Sequence, residues 1–192
     1  MELKLIFSII SVTLGLLAFF PYLRSIILKQ TKPHEFTWLI WAITQGIAAA
    51  GLWLGGGGIS AFILSLWTLL SFTIFLLSLQ DGERNITKSD ITLLLLALFG
   101  ILIWWIFSSP ILGVSMAVLV DLIGYGPTFR KSFNKPWSED IWGWGLFFTS
   151  CAFLILAIEN YNFLTTIYPG TILLADASFV TFLLVRRRKI GK

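Results

Sequence analysis

The apolar positions of this chain fall into seven continuous runs, at roughly 5–24, 36–54, 59–80, 91–107, 111–130, 140–158 and 166–185, separated by short polar segments. A run of about 20 apolar residues is what an α-helix needs to cross a hydrocarbon core of about 30 Å. Strands are excluded as the main element, because the runs do not alternate and a small barrel would need a polar lumen face on every strand. The pattern predicts an all-α membrane protein with seven transmembrane helices.

Composition points the same way. Hydrophobic residues make up 57% of the chain and charged residues only 12%, with a mean hydropathy of +0.86, so water cannot solvate most of it. Charge placement adds orientation. With seven spans, all but one of the 14 Lys and Arg residues fall on one side, the exception being Lys4. The positive-inside rule then predicts the N-terminus out and the C-terminus in, in a multi-pass protein of the plasma membrane. The net charge of +4 therefore calls for no nucleic-acid partner. The run Arg186 to Lys189 is expected to anchor the last helix against anionic lipid.

The first run is read as a mature helix and not a secretory signal, since Lys4 lies close to Glu2 and no small-x-small cleavage pattern follows. Cys151 is the only cysteine and His34 the only histidine, which leaves no intrachain disulfide and no metal cluster. No lysine lies in the last helix to hold a retinal, and no loop carries a Ser-His pair or a glycine-rich phosphate cradle. Neither an enzyme nor a bound cofactor is expected.

One short pattern occurs twice. Phe19 to Trp41 and Gly124 to Trp144 each place Arg three residues after proline (Pro21 and Arg24, Pro127 and Arg130), then a Lys-Pro step (Lys32-Pro33, Lys135-Pro136), then an acidic residue and paired tryptophans. A fixed internal repeat speaks for architecture. It divides the chain into a first triple-helix unit (1–80), a loop and inversion-linker helix (81–110) and a second triple-helix unit with a basic tail (111–192). Because each unit has an odd number of crossings, the extra helix is what lets both run parallel.

On these residues the chain resembles the SWEET and SemiSWEET sugar transporters and the wider PQ-loop superfamily, which also contains lysosomal amino-acid exporters and the KDEL receptor. SWEETs are a standard example of parallel repeats. The family's Pro-Gln dipeptide is replaced here by Pro21-Tyr22 and Pro127-Thr128. The resemblance implies a transporter moving a small polar solute, such as a sugar, an amino acid or a related metabolite, by alternating access around a midplane site. It also implies a homo-oligomer, since family members associate. The alternative is a ligand-binding receptor or structural membrane protein of the same fold.

Ionisable groups inside a span are rare enough to suggest function. Asp121 in the fifth run and Asp176 in the seventh stand out. By the resemblance, the last helix of each unit supplies a polar side chain to the substrate, and Asp176 has the depth for it; Thr68, Ser71 and Thr73 lie at that depth in the third run. A carboxyl taken out of water holds its charge less readily, so the pair is expected to bind and release a proton or, in a variant, to keep one charge and pair with a cationic group on the solute. Thr44, Gln45 and Trp67 are further candidates to face the cavity. Pro21 and Pro127 are read as hinges near the inner ends of their helices. Arg24 and Arg130 would snorkel there or close an inner gate on Glu35 and Glu139. The remaining tryptophans, Trp38, Trp41, Trp137, Trp142 and Trp144 inside and Trp53, Trp104 and Trp105 outside, are assigned mostly to interfacial belts.

Overall fold

The computed structural model describes residues 2–30, 32–82, 86–134 and 136–190, with the side chains of Asp81, Pro127, Arg130, Lys131 and Ser138 excepted. Among the described residues every helix or strand element is a helix, with no strand. The α-helices are α1 (Glu2–Ile27), α2 (Glu35–Leu54), α3 (Ile59–Asp81), α4 (Lys88–Phe107), α5 (Pro110–Asn134), α6 (Ile141–Leu156) and α7 (Phe163–Ile190), and a 3-10 turn (Pro136–Ser138) precedes α6.

Helix starts follow from local chemistry. The first amides of a helix have no internal acceptor, and a side chain must supply one. His34 accepts from the Thr37 amide at the head of α2. Thr87 and Asp90 form a reciprocal capping box on α4. Asp140 accepts from the amides of Trp142 and Gly143 at 3.0 and 3.1 Å, which starts α6. Pro110 opens α5 two residues after Ser108, whose left-handed φ of 48° ends α4.

Five helices, α1, α2, α3, α4 and α7, are long and apolar enough to cross a membrane. The apolar part of α5, Pro110–Gly126, and the 16-residue α6 are apolar but shorter. The helices that run furthest beyond their predicted ends are α5, to Asn134, and α7, to Ile190. The reason is mutual. Arg186 donates to the Phe133 carbonyl at 2.7 Å and stacks over that ring, while Arg187 donates to the carbonyls of Pro136 and Glu139 at 3.0 and 2.6 Å. Half of the basic cluster expected to face lipid thus closes the carbonyl end of α5 and the turn after it.

Large apolar side chains cover the exterior, among them Leu17, Phe20, Phe62, Leu69, Leu95 and Leu174. A hollow of about 320 Å³ between α1 and α3, lined by Ile9, Phe62 and Leu66, belongs to this apolar surface. In the packing, α1 lies against α6 and α3; α2 against α3, α5 and α7; α5 and α6 each against α7; and α3 touches α6. The fourth helix packs on α2 and α5, where Ala97 and Gly100 are its buried positions. Neither α1 with α2 nor α5 with α6 makes a close backbone approach among the described residues. The space left between those pairs is where the site lies.

The helix ends gather into two groups. One holds Lys4 with the α2–α3 and α6–α7 connections and is called here the N-terminal end. The other carries Arg24, Lys29, Lys88 and Arg186 to Lys189, and is called the basic end. At the latter, His34 Nε2 lies 3.8 Å from Asp90 and links the head of α2 to that of α4.

Candidate functional site

A cavity of about 380 Å³ opens between α1, α2, α5, α6 and α7, within the range of small-molecule sites though near its lower limit. Its mouth is at the basic end, where Glu139 and the exposed Asp140 line it. Its inner wall reaches Gln45, Asp121 and Asp176. A smaller space of about 90 Å³ adjoins it and continues past Trp67, Cys151 and Pro169.

Asp121 and Asp176 are almost completely buried, at 4% and 3% exposure. Each is held by a tyrosine from the other's helix. Tyr168 of α7 donates to Asp121 Oδ2 at 2.5 Å, and Tyr125 of α5 donates to Asp176 Oδ1 at 2.6 Å. Asp121 and Tyr125 are four residues apart and share one face of α5. Tyr168 and Asp176 are eight apart, two turns of α7. Because both helices run in the same direction, the two bonds clasp them at successive depths. Pro169, next to Tyr168, lies inside α7, and its carbonyl accepts from Cys151 Sγ at 3.3 Å.

The other oxygen of Asp121, Oδ1, is buried and has no hydrogen-bond partner among the described residues. Thr44 lies beside this carboxyl, but its hydroxyl donates to the carbonyls of Ile40 and Trp41. Such an oxygen is costly to leave unmet in a low-dielectric interior. Tyr168→Phe would take the phenol donor away from this buried carboxyl. It is expected to lower stability by about 1–3 kcal/mol, read as a reduced melting temperature of the purified protein in detergent.

The remaining candidates are divided by the structure. Gln45 lines both spaces, and its Oε1 accepts from Ser71 at 3.0 Å, so buried Ser71 positions the amide and does not itself reach the cavity. Thr68 and Thr73 donate to carbonyls of their own helix. Trp67 lines the smaller space and stacks on Phe19 at 5.7 Å. A Cβ on Gly15 would lie 2.2 Å from that indole, so only glycine lets the ring rest on α1. The α2–α3 side therefore contributes the Gln45 amide, and the α5–α7 side contributes both carboxyls.

At the mouth, Trp144 Nε1 donates to Glu139 Oε2 at 3.3 Å. No ion pair joins Arg24 to Glu35 among the described residues. The side chains of Pro127 and Arg130 lie outside the described residues, and with them the second hinge and the Arg130–Glu139 closure. Helix α1 runs through Pro21 without interruption. His34 acts as a helix cap.

Several cavity residues escaped the sequence reading. Trp38, Trp41 and Trp144, assigned to an interfacial belt, line the cavity instead, with Tyr22, Tyr125 and Tyr168. Trp142 and Trp105, 80% and 78% exposed, have the exposure a belt residue needs. Repetition was the available signal: Phe19 meets Trp38 at 6.1 Å and Tyr125 meets Trp144 at 5.9 Å, the same two repeat positions in each half of the chain.

The N-terminal end is closed. The Glu159 amide donates to the Gly57 carbonyl at 3.2 Å; Asn160 Nδ2 and Asn162 Nδ2 donate to the carbonyls of Gly56 and Gly55 at 3.0 and 2.7 Å. Lys4 Nζ donates to the carbonyls of Ile158 and Glu159. Gly56 and Gly58 have φ of +73° and +62°, and a Cβ on Gly58 would lie 2.0 Å from the Glu159 carboxyl carbon. Glycine adopts both conformations without strain, which favours it where the two connections interlock. Compared with known protein families, curated proteins and solved structures, the chain matches none.

Proposed function

We propose that this chain is a membrane carrier that moves a small polar solute, a sugar, an amino acid or a related metabolite, by alternating access around the cavity holding Asp121 and Asp176. The observation that carries this reading is a cavity reaching two buried carboxyls from the basic end while the opposite end is sealed by interlocked connections. A carrier caught facing one side has that form. The aspartates are the groups that would carry a proton with the solute or hold its charge.

Seven spans in a 3+1+3 arrangement of the SWEET type are part of the proposal, as is a plasma-membrane location with the basic end inside. The packing supports the arrangement. Exchanging α1 with α5, α2 with α6 and α3 with α7 turns each packed pair among these six helices into another packed pair: α1–α6 into α5–α2, α2–α3 into α6–α7, α1–α3 into α5–α7, and α3–α6 into α7–α2. The pairs α1–α2 and α5–α6, both without close backbone approach, also exchange. The fourth helix stands outside this correspondence, as an inversion linker would.

Two-sided access separates this reading from a receptor. Gln45→Cys in a Cys151→Ala background places one thiol in the cavity wall, and an impermeant thiol reagent is applied to right-side-out and inside-out vesicles. The carrier reading expects labelling from both faces. Labelling from one face alone, in every condition, would mark a one-sided receptor cavity.

A further inference from the structure

We infer that the solute taken by this cavity is a small organic cation, an amine or quaternary ammonium on a largely apolar body. The inference deepens the carrier reading and rests on it for the word solute. The chemistry of the lining comes first. Asp121, Asp176, Glu139 and Asp140 line the space, and no Lys, Arg or His does so among the described residues. This acidic lining sits inside an end whose other charges are mostly basic, so it is not a continuation of the surrounding charge.

The uncharged lining is mostly aromatic. Trp38 and Trp41 stand nearly perpendicular, with ring centroids 5.0 Å apart at 86°. Trp38 spends its N–H on the Tyr22 hydroxyl at 3.3 Å, and Trp144 spends its own on Glu139. With those donors engaged, what Trp38 and Trp144 can offer a solute is ring face, and a ring face attracts a desolvated cation, most strongly in tryptophan. Sugars also stack on such rings, so aromatics alone would not choose.

Asp121 chooses. Asp121 lines the cavity, and its buried Oδ1 has no hydrogen-bond partner among the described residues. A buried carboxylate oxygen is stabilised by a positive partner with donors or a positive methyl shell, and a neutral solute gives it much less. A second carboxyl, Asp176, already holding Tyr125, lines the same cavity.

The test is binding to the full chain purified in detergent, followed by intrinsic tryptophan fluorescence. Choline is titrated against 3,3-dimethylbutan-1-ol, which replaces the ammonium nitrogen by carbon and keeps the shape. Tetramethylammonium and benzylamine extend the cation set; glucose and glutamate represent the other classes. The expected result is saturable binding of the cations, choline at least about tenfold tighter than the alcohol, with that advantage lost in Asp176→Asn and weakened in Trp144→Leu. Equal binding of choline and the alcohol overturns the inference. So does binding of glucose or glutamate where none of the cations binds, or failure of every cation on a protein whose melting curve shows it folded. Cation binding without passage across a membrane keeps the inference and removes the carrier reading. Passage of a neutral or acidic solute that the cations do not inhibit does the reverse.

Discussion

Asp176→Asn is expected to reduce solute movement by about 30-fold or more while the protein still folds. The size follows from removing one member of a buried charged interaction, which costs roughly 2–5 kcal/mol when its partner is left unpaired. Folding should survive because asparagine has nearly the same shape and keeps a carbonyl oxygen where Tyr125 donates at 2.6 Å. Asp176→Leu would lose the charge and the tyrosine's acceptor together, and so cannot separate chemistry from packing. Initial uptake rates of the two variants, beside their melting temperatures, provide the check. Asparagine should lose uptake with little change in melting, whereas leucine should lose both. Wild-type uptake by the asparagine variant would remove Asp176 from the site.

The second large effect concerns the sealed end. In a Cys151→Ala background, Gly56→Cys with Asn160→Cys is expected to abolish transport when oxidised and to restore it on reduction. A Cβ on Gly56 would lie 3.7 Å from the Asn160 Cβ, inside the window a disulfide bridges. The φ of +73° at Gly56 costs a cysteine roughly 1–2 kcal/mol, for which the reduced protein is the control. The cross-link joins the α2–α3 connection to the α6–α7 connection, so it holds shut the end that alternating access must open. Binding from the basic end should persist in the locked protein, because the cavity mouth at Glu139 and Asp140 is untouched. Unchanged transport by the oxidised protein would show that these loops do not part during the cycle.

Much of the helical architecture was legible because membrane helices announce themselves by continuous apolarity. The predicted limits of the fourth run, 91–107, and of the second, 36–54, lie within a few residues of α4 and α2. Ends were less legible where a distant partner decides them: α5 continues to Asn134 because Arg186 and Arg187, fifty residues on, meet the carbonyls around its end. Asp121 and Asp176 were conspicuous because a carboxyl in an apolar run needs a reason. Their tyrosine partners were not, since Tyr125 and Tyr168 are ordinary residues for a membrane helix and only the α5–α7 packing brings each to its aspartate. Trp41 and Trp144 were misassigned for a related reason. A tryptophan near the end of a span is usually interfacial, and sequence position does not say which side of the helix faces lipid. The seal was the least legible part. Gly56, Asn160 and Asn162 read as turn formers, and nothing local indicates that a turn at 55–58 meets one a hundred residues later.

The central claim is that this protein carries a solute across the membrane, and the most direct measurement is flux. Purified protein in proteoliposomes, screened with sugars, amino acids and small organic cations, is followed for solute uptake and for proton movement driven by solute or by a pH gradient, with Asp176→Asn as control. The account predicts saturable uptake of one solute class by the wild-type protein and its loss in Asp176→Asn. No uptake of any class by correctly inserted, folded protein, in either gradient direction, would contradict it.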